Sequence, residues 1–160
     1  MSKKKISNFI IVFIVFLSDR VSKYIILKLS QPLGELDISV TSFLNFNLIW
    51  NKGIAFGFLS FDSIQSYNFV TIIICIVNLI IIYLIYSSKD YKGFLYSTIL
   101  GGSLGNLYDR FYYNAVPDYI DLHIKDFHWF IFNVADIFIT LGVMCLIFVE
   151  IFLNKSVNDK

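Results

Sequence analysis

Apolar residues run along this chain in four blocks, approximately Ile6 to Leu29, Tyr67 to Tyr86, Gly93 to Tyr112 and Phe132 to Leu153. Each approaches the roughly 20 residues that a helix needs to cross a bilayer. Between the first two blocks lies FLNFNLIW, in which Leu44, Phe46 and Leu48 alternate with Asn45 and Asn47. A period of two predicts a half-buried strand. Between the last two blocks, YIDLHIK alternates in the same way. It is followed by Phe127, His128, Trp129, Phe130 and Phe132, an aromatic group suited to anchoring at the boundary of headgroups and hydrocarbon. The pattern predicts an all-α membrane protein, one domain over residues 1–160, with four transmembrane helices and a small sheet in loops on one face. No internal repeat or Pro/Gly-rich linker marks a second domain.

Composition reinforces this. The chain of 160 residues is 57% hydrophobic with a mean hydropathy of +0.70, which makes lipid the expected solvent. A net charge of +1 leaves no basic surplus to track a phosphate backbone, so nucleic acid is excluded as a partner. The first block follows Lys3, Lys4 and Lys5 like a cleavable signal. However, no small-x-small site follows and the block continues past Asp19 and Arg20, so a retained helix is expected. Lysine bias then orients the spans. Lys3 to Lys5, Lys89, Lys92, Lys155 and Lys160 fall on one side, against Lys52 and Lys125 on the other, with Lys28 at that outer edge. Both termini are expected in the cytoplasm. Cys75 and Cys145 lie inside apolar runs without C-x-x-C spacing and read as small hydrophobes.

Charges inside spanning helices are costly and face a bundle interior or a wet cavity, which makes each a functional candidate. Asp19 and Lys23 stand at i, i+4 in the first helix and can pair. Asn106, Asp109 and Arg110 share one side near the outer end of the third. Asp118 follows in the second outer loop, and Asn133 with Asp136 open the fourth helix. All converge on one depth. Asp136 could serve only the helix N-terminus, but such a carboxylate is expected at or before Asn133, so a chemical role is favoured. Gly101, Gly102 and Gly105 read as a small-residue contact for close helix packing.

Two carboxylates held together at a membrane boundary cannot both ionise cheaply, and one keeps its proton. A general base beside a general acid is the arrangement by which paired aspartates hydrolyse an amide, with Asn51, Asn106 or Asn133 as neutral donors to the oxyanion. No activated serine or cysteine is evident. His123 and His128, with Asp121 and Asp126, lack the His-x-x-x-His spacing of a helical metal pair, so neither a metal nor any other cofactor is expected. A proton-coupled transporter is the rival reading. It would place charges near the midplane with polar paths to both faces, whereas the inner halves of these helices are nearly pure hydrocarbon.

LSDRVSKY around Asp19, WNKGIAFGFL around Asn51, GGSLGNLYDR around Asn106 to Arg110, VPDYIDL around Asp118 and FNVADIF around Asp136 occur in this order over nearly the whole chain. Together they resemble the lipoprotein signal peptidases, signal peptidase II, of the bacterial inner membrane. The resemblance implies an intramembrane aspartyl endopeptidase that removes signal peptides from diacylglyceryl-modified prolipoproteins, cutting just before the lipidated cysteine. It implies Asp118 and Asp136 as the catalytic pair, with Asn51, Asn106, Arg110 and Asn133 arranging site and substrate, and Asp19, Lys23 and Asp109 supporting them. Membrane lipids and lipidated signal peptides are the implied partners, and a monomer is expected. Pro117 departs from the β-branched residue many members carry there, and it stiffens Val116 on the approach to Asp118.

Overall fold

The computed structural model describes residues 3–31, 36–53, 64–88 and 90–153. Lys89, Lys155 and Lys160, and the end of the WNKGIAFGFL motif from Ile54 onward, lie outside the described residues. The order of elements is α1 (Lys3–Ser30), β1 (Asp37–Thr41), β2 (Leu44–Asn51), α2 (Ile64–Ser87), α3 (Lys92–Tyr113), β3 (Val116–Ile124), β4 (Phe127–Phe132) and α4 (Val134–Phe148), the last running into a π-helical turn, Val149–Leu153.

Helix α3 packs against each of the other three helices. Its small-residue face explains why. A Cβ added at Gly102 would lie 2.6 Å from the Ala135 carbonyl oxygen of α4, and one at Gly105 would lie 2.5 Å from Asp19 Oδ2 of α1. Only glycine permits both approaches. At one end of the bundle Lys4 donates to the backbone carbonyls of Ser88, at 3.3 Å, and Asp90, while Lys92 pairs with Glu150 at 2.7 Å. The start of α1, the α2–α3 turn and the end of α4 are thereby gathered together.

The sheet forms at the opposite end. Its four antiparallel strands run in the order β1-β2-β3-β4. Asn114, in the left-handed region at φ 54°, ends α3 and turns the chain into β3, a conformation that asparagine tolerates. Tyr119 of β3 is buried against Ile26 and Leu36, which seats the sheet on α1.

The strand expectations hold for β2 and β3, and the aromatic segment adds a strand that its reading as an anchor did not include. Phe127 to Phe132 is itself a strand, paired with β3, so α4 begins at Val134 rather than at Phe132. Strand β1, DISVT, was not expected, although Ile38 and Val40 alternate with Asp37, Ser39 and Thr41; its side chains are exposed along its length.

Burial is inverted relative to a water-soluble bundle. Phe9, Leu79, Phe111 and Met144 point outward and are more than 60% exposed, while Asp19, Lys23, Asp109 and Asn133 are almost wholly buried. Ile64–Ser87 and Val134–Phe152 are long and apolar enough to cross a membrane by composition alone. Among the described helices, α1 and α3 carry most of the buried charges, Asp136 of α4 being the exception, and these face inward.

Candidate active site

Asn133 organises the site from the start of α4. Its extended backbone makes it the N-cap, its Oδ1 accepts the backbone N–H of Asp136 at 3.1 Å, and its own N–H donates to Asp136 Oδ2 at 3.1 Å. This is a reciprocal capping box, which satisfies two donors that the first turn would otherwise leave unpaired. The expectation that a capping carboxylate would sit at or before Asn133 is therefore corrected. Asp136 does cap, from the third helical position, because the N-cap asparagine and the acid divide the work. Capping occupies one of its oxygens. The other, Oδ1, accepts from Asn106 Nδ2 at 2.8 Å.

The remaining donor of Asn133 crosses to the sheet, where Nδ2 reaches Asp118 Oδ1 at 2.6 Å. Asp118 Oδ2 accepts from Asn51 Nδ2 of the neighbouring strand at 2.8 Å. Asn51 is held in turn by the Gly53 N–H, which donates to its Oδ1 at 2.7 Å. Pairing of Asn51 with Val116 and of Trp50 with Pro117 places this amide beside the acid. Pro117 is fully buried in that register, so its stiffness leads into a regular strand.

Behind Asp136 lies a compact ion cluster. Lys23 Nζ is 2.9 Å from Asp19, 2.7 Å from Asp109 and 2.8 Å from Asn106 Oδ1. The bond to Asn106 fixes which end of that amide faces Asp136. Arg20 grips Asp109 at 2.6 and 2.8 Å and Asp19 at 2.6 Å. The Ala135 N–H donates to Asp19 Oδ1 at 3.1 Å and ties the cluster to the first turn of α4. Two acids are thus balanced by two bases, as burial demands. The contribution of Arg20 was not foreseen, although a second base beside Asp19 inside an apolar run was the signal for it.

Arg110 shares a cavity with Asn106, as expected, but does not join Asp109. It turns away from the ion cluster, donates to the Gly53 carbonyl, and lies 5.2 Å from the ring of Tyr67, whose hydroxyl donates to the Arg110 carbonyl at 3.3 Å. Neighbouring helical residues project about 100° apart, and that rotation separates the two charges. Arg110 Nε and Nη1 are buried with no hydrogen-bond partner among the described residues.

Asp118, Asp136, Asn51, Asn106 and Arg110 meet on a cavity of about 210 Å³, completed by Ile74, Ser103, Val116, Ile139 and Thr140. Thr140, one turn after Asp136, was legible from its spacing, whereas the lining by Ile74 of α2 was not. Burial and then the negative charge of Asp136 push Asp118 up to about 7, against the amides of Asn51 and Asn133, which favour its ionised form. Asp121, His123 and His128 also come together, away from this cavity, within 4.8 Å of one another. The helical spacing test did not anticipate this, because strand pairing brings them together.

A helical bundle with apolar outward faces, enclosing a polar cavity with two aspartates at one end, defines an integral membrane protein with the furniture of an enzyme. The family model for signal peptidase (SPase) II matches residues 11–152, and the chain belongs to that family. It is 49% identical to the lipoprotein signal peptidase of Pelagibacter ubique, over all of this chain and 99% of that one. It is 36% identical to the enzyme of the same name from Thermodesulfovibrio yellowstonii over 92% of this chain and 97% of that one. A bacterial membrane enzyme solved by the in meso method at 2.3 Å superposes with a TM-score of 0.79 at 29% identity, covering 96% of this chain and 92% of the other.

Proposed function

We propose that this protein is an intramembrane aspartyl endopeptidase that removes signal peptides from prolipoproteins, cutting before a cysteine that already bears diacylglycerol. Family membership supports the reaction. The observation that carries the assignment of residues is the double bridge through Asn133, which holds Asp118 and Asp136 at one cavity wall. In this reading the pair shares one proton. The ionised member takes a proton from water as that water attacks the scissile carbonyl, and the protonated member donates to the developing oxyanion. Asn106 and Asn133 hold the carboxylates in place. The unengaged Arg110 N–H groups are suited to backbone carbonyls of an extended substrate, and Asn51 keeps Asp118 turned toward the cavity.

The same proposal takes all four helices as spans of the bacterial inner membrane, with both termini cytoplasmic and the sheet on the outer face. Outward apolar faces on every helix support this, as does the collection of Lys4, Lys92 and the α2–α3 turn at the end remote from the sheet. A lipidated signal peptide would enter sideways from the bilayer. Its acyl chains would fix the scissile bond at the depth of the aspartates, converting binding energy into positioning. Incubation of the purified protein with one prolipoprotein in lipidated and unlipidated forms tests the reading. Faster cleavage of the lipidated form is expected. Equal rates would remove the lipid from recognition, and cleavage of neither would favour the transporter.

A further inference from the structure

Outside the proposed catalytic cavity, the β3–β4 hairpin assembles a second set of chemistry-bearing side chains. His123 and His128 are directly paired across the two strands, and Asp121 lies two residues before His123 on the same face of β3. The hairpin closes through a two-residue turn with Lys125 in the left-handed region, which brings the two histidines into register near its tip. Their rings stack with centroids 5.1 Å apart at 23°, and His128 Nδ1 lies 2.9 and 3.0 Å from the two oxygens of Asp121.

We propose that Asp121, His123 and His128 form a binding site for a late first-row divalent cation, with Zn²⁺ as its representative. Two imidazoles and one carboxylate are the donor set that such ions take when a further position is left to water. One donor atom from each residue already falls within 4.8 Å of the others. Bonds of about 2.0–2.1 Å in a tetrahedron require ligand atoms about 3.3 Å apart, so the site must close by about 1.5 Å. The side chain of His128 is 51% exposed, so its ring has room to shift toward a shared ion, whereas that of Asp121 is 3% exposed and stays in place as the fixed ligand. His123 supplies the independent sign of a ligand, since its Nδ1 is buried with no hydrogen-bond partner among the described residues. Among the described residues, no other acidic group combines a buried carboxylate, an orphaned imidazole nitrogen and cross-strand registration.

The cation would act on the fold rather than on the peptide bond. Asp121 follows Asp118 by three residues on one strand, so alternation turns the two carboxylates to opposite faces. Bridging β3 to β4 would stiffen the hairpin whose open end carries both Asp118 and the approach to Asn133.

The test is titration of ZnCl₂ into the purified, chelator-treated full chain in detergent, followed by calorimetry and by thermal unfolding. One Zn²⁺ per chain and a higher Tm with zinc are expected, with no comparable response to Mg²⁺. His123→Asn, His128→Asn and Asp121→Asn should each weaken binding at least tenfold, while Asp126→Asn at the turn should bind normally. Because His128 is half exposed and asparagine retains a donor for Asp121, H128N should remain folded, and its response to zinc is read against its own metal-free Tm, which keeps the test readable if the Asp121 variant folds poorly. Co²⁺ in place of Zn²⁺ should give visible d–d bands that disappear in H128N. Absence of saturable binding would overturn the proposal, as would binding that persists unchanged in H123N and H128N.

Discussion

The side-chain amide of Asn133 donates to Asp118 at 2.6 Å while the same residue caps the helix that carries Asp136. The start of α4 and the spacing of the two carboxylates are therefore set by one side chain. Asn133→Ser should keep the cap, since serine caps about as well as asparagine, yet it is too short to reach Asp118. Thermal stability should change by less than about 1 kcal/mol while turnover falls by a factor on the order of 10². Near-normal turnover in N133S, measured per folded molecule, would mean that the bridge plays no part in catalysis.

Asp118→Asn and Asp136→Asn each preserve size but remove the titrating group. Both should insert and accumulate normally and lose turnover by several powers of ten, on the scale of losing one member of a catalytic set. The capping box makes D136N the more informative variant. Its amide oxygen can still accept the Asn133 N–H, so a helix-end role would survive the change and a chemical one would not. Substantial cleavage by D136N would reduce Asp136 to a cap.

The raised pKa of Asp118 gives stability a definite slope with pH. Ionised above about 3.8 when unfolded but only above about 7 in the folded protein, the group binds more protons in the native state between those values. Its contribution to stability is fully present below the lower value, is lost as pH rises through the window and levels off above about 7. Thermal unfolding at pH 5 and pH 8 should therefore show a larger loss for the wild type than for D118N. Activity should decline over the same upper range as the pair loses its shared proton, with apparent pKa values that belong to the pair. Identical slopes for both proteins would contradict the burial of Asp118.

The ion cluster should behave differently from the pair it supports. Asp109→Asn leaves Arg20 and Lys23 facing a single carboxylate in a buried setting, a disruption worth about 3–5 kcal/mol. Reduced protein yield and a lower Tm should accompany its loss of activity, and Asp19→Asn should act similarly while also weakening the tie to Ala135. A D109N protein of wild-type stability with no turnover would move Asp109 into the chemistry.

Strong chelators and thiol-blocking reagents should leave turnover within about twofold at moderate temperature, because the proposed aspartate pair needs neither a metal nor a thiolate. Chelation should act on thermal stability, through the hairpin. Loss of turnover restored by one divalent metal would place the histidine cluster in the reaction.

Apolar run length located the four helices within a few residues, and alternation located β2 and β3, because both follow from local periodicity. The acids, asparagines and Arg110 were also legible, since a polar group inside a greasy run is costly enough to stand out. Which of them would meet was another matter. Arg110 and Asp109 are neighbours in the chain yet serve different surroundings, and Asp136 spends one oxygen on Asn133 and the other on Asn106, 30 residues away. The aromatic run Phe127 to Phe132 became a strand because β3 offered it a partner, and His123 met His128 through that same pairing. Periodicity records which face of an element is apolar. It carries no information about which element will lie against that face, and the contacts that define this site are almost all between elements distant in the chain.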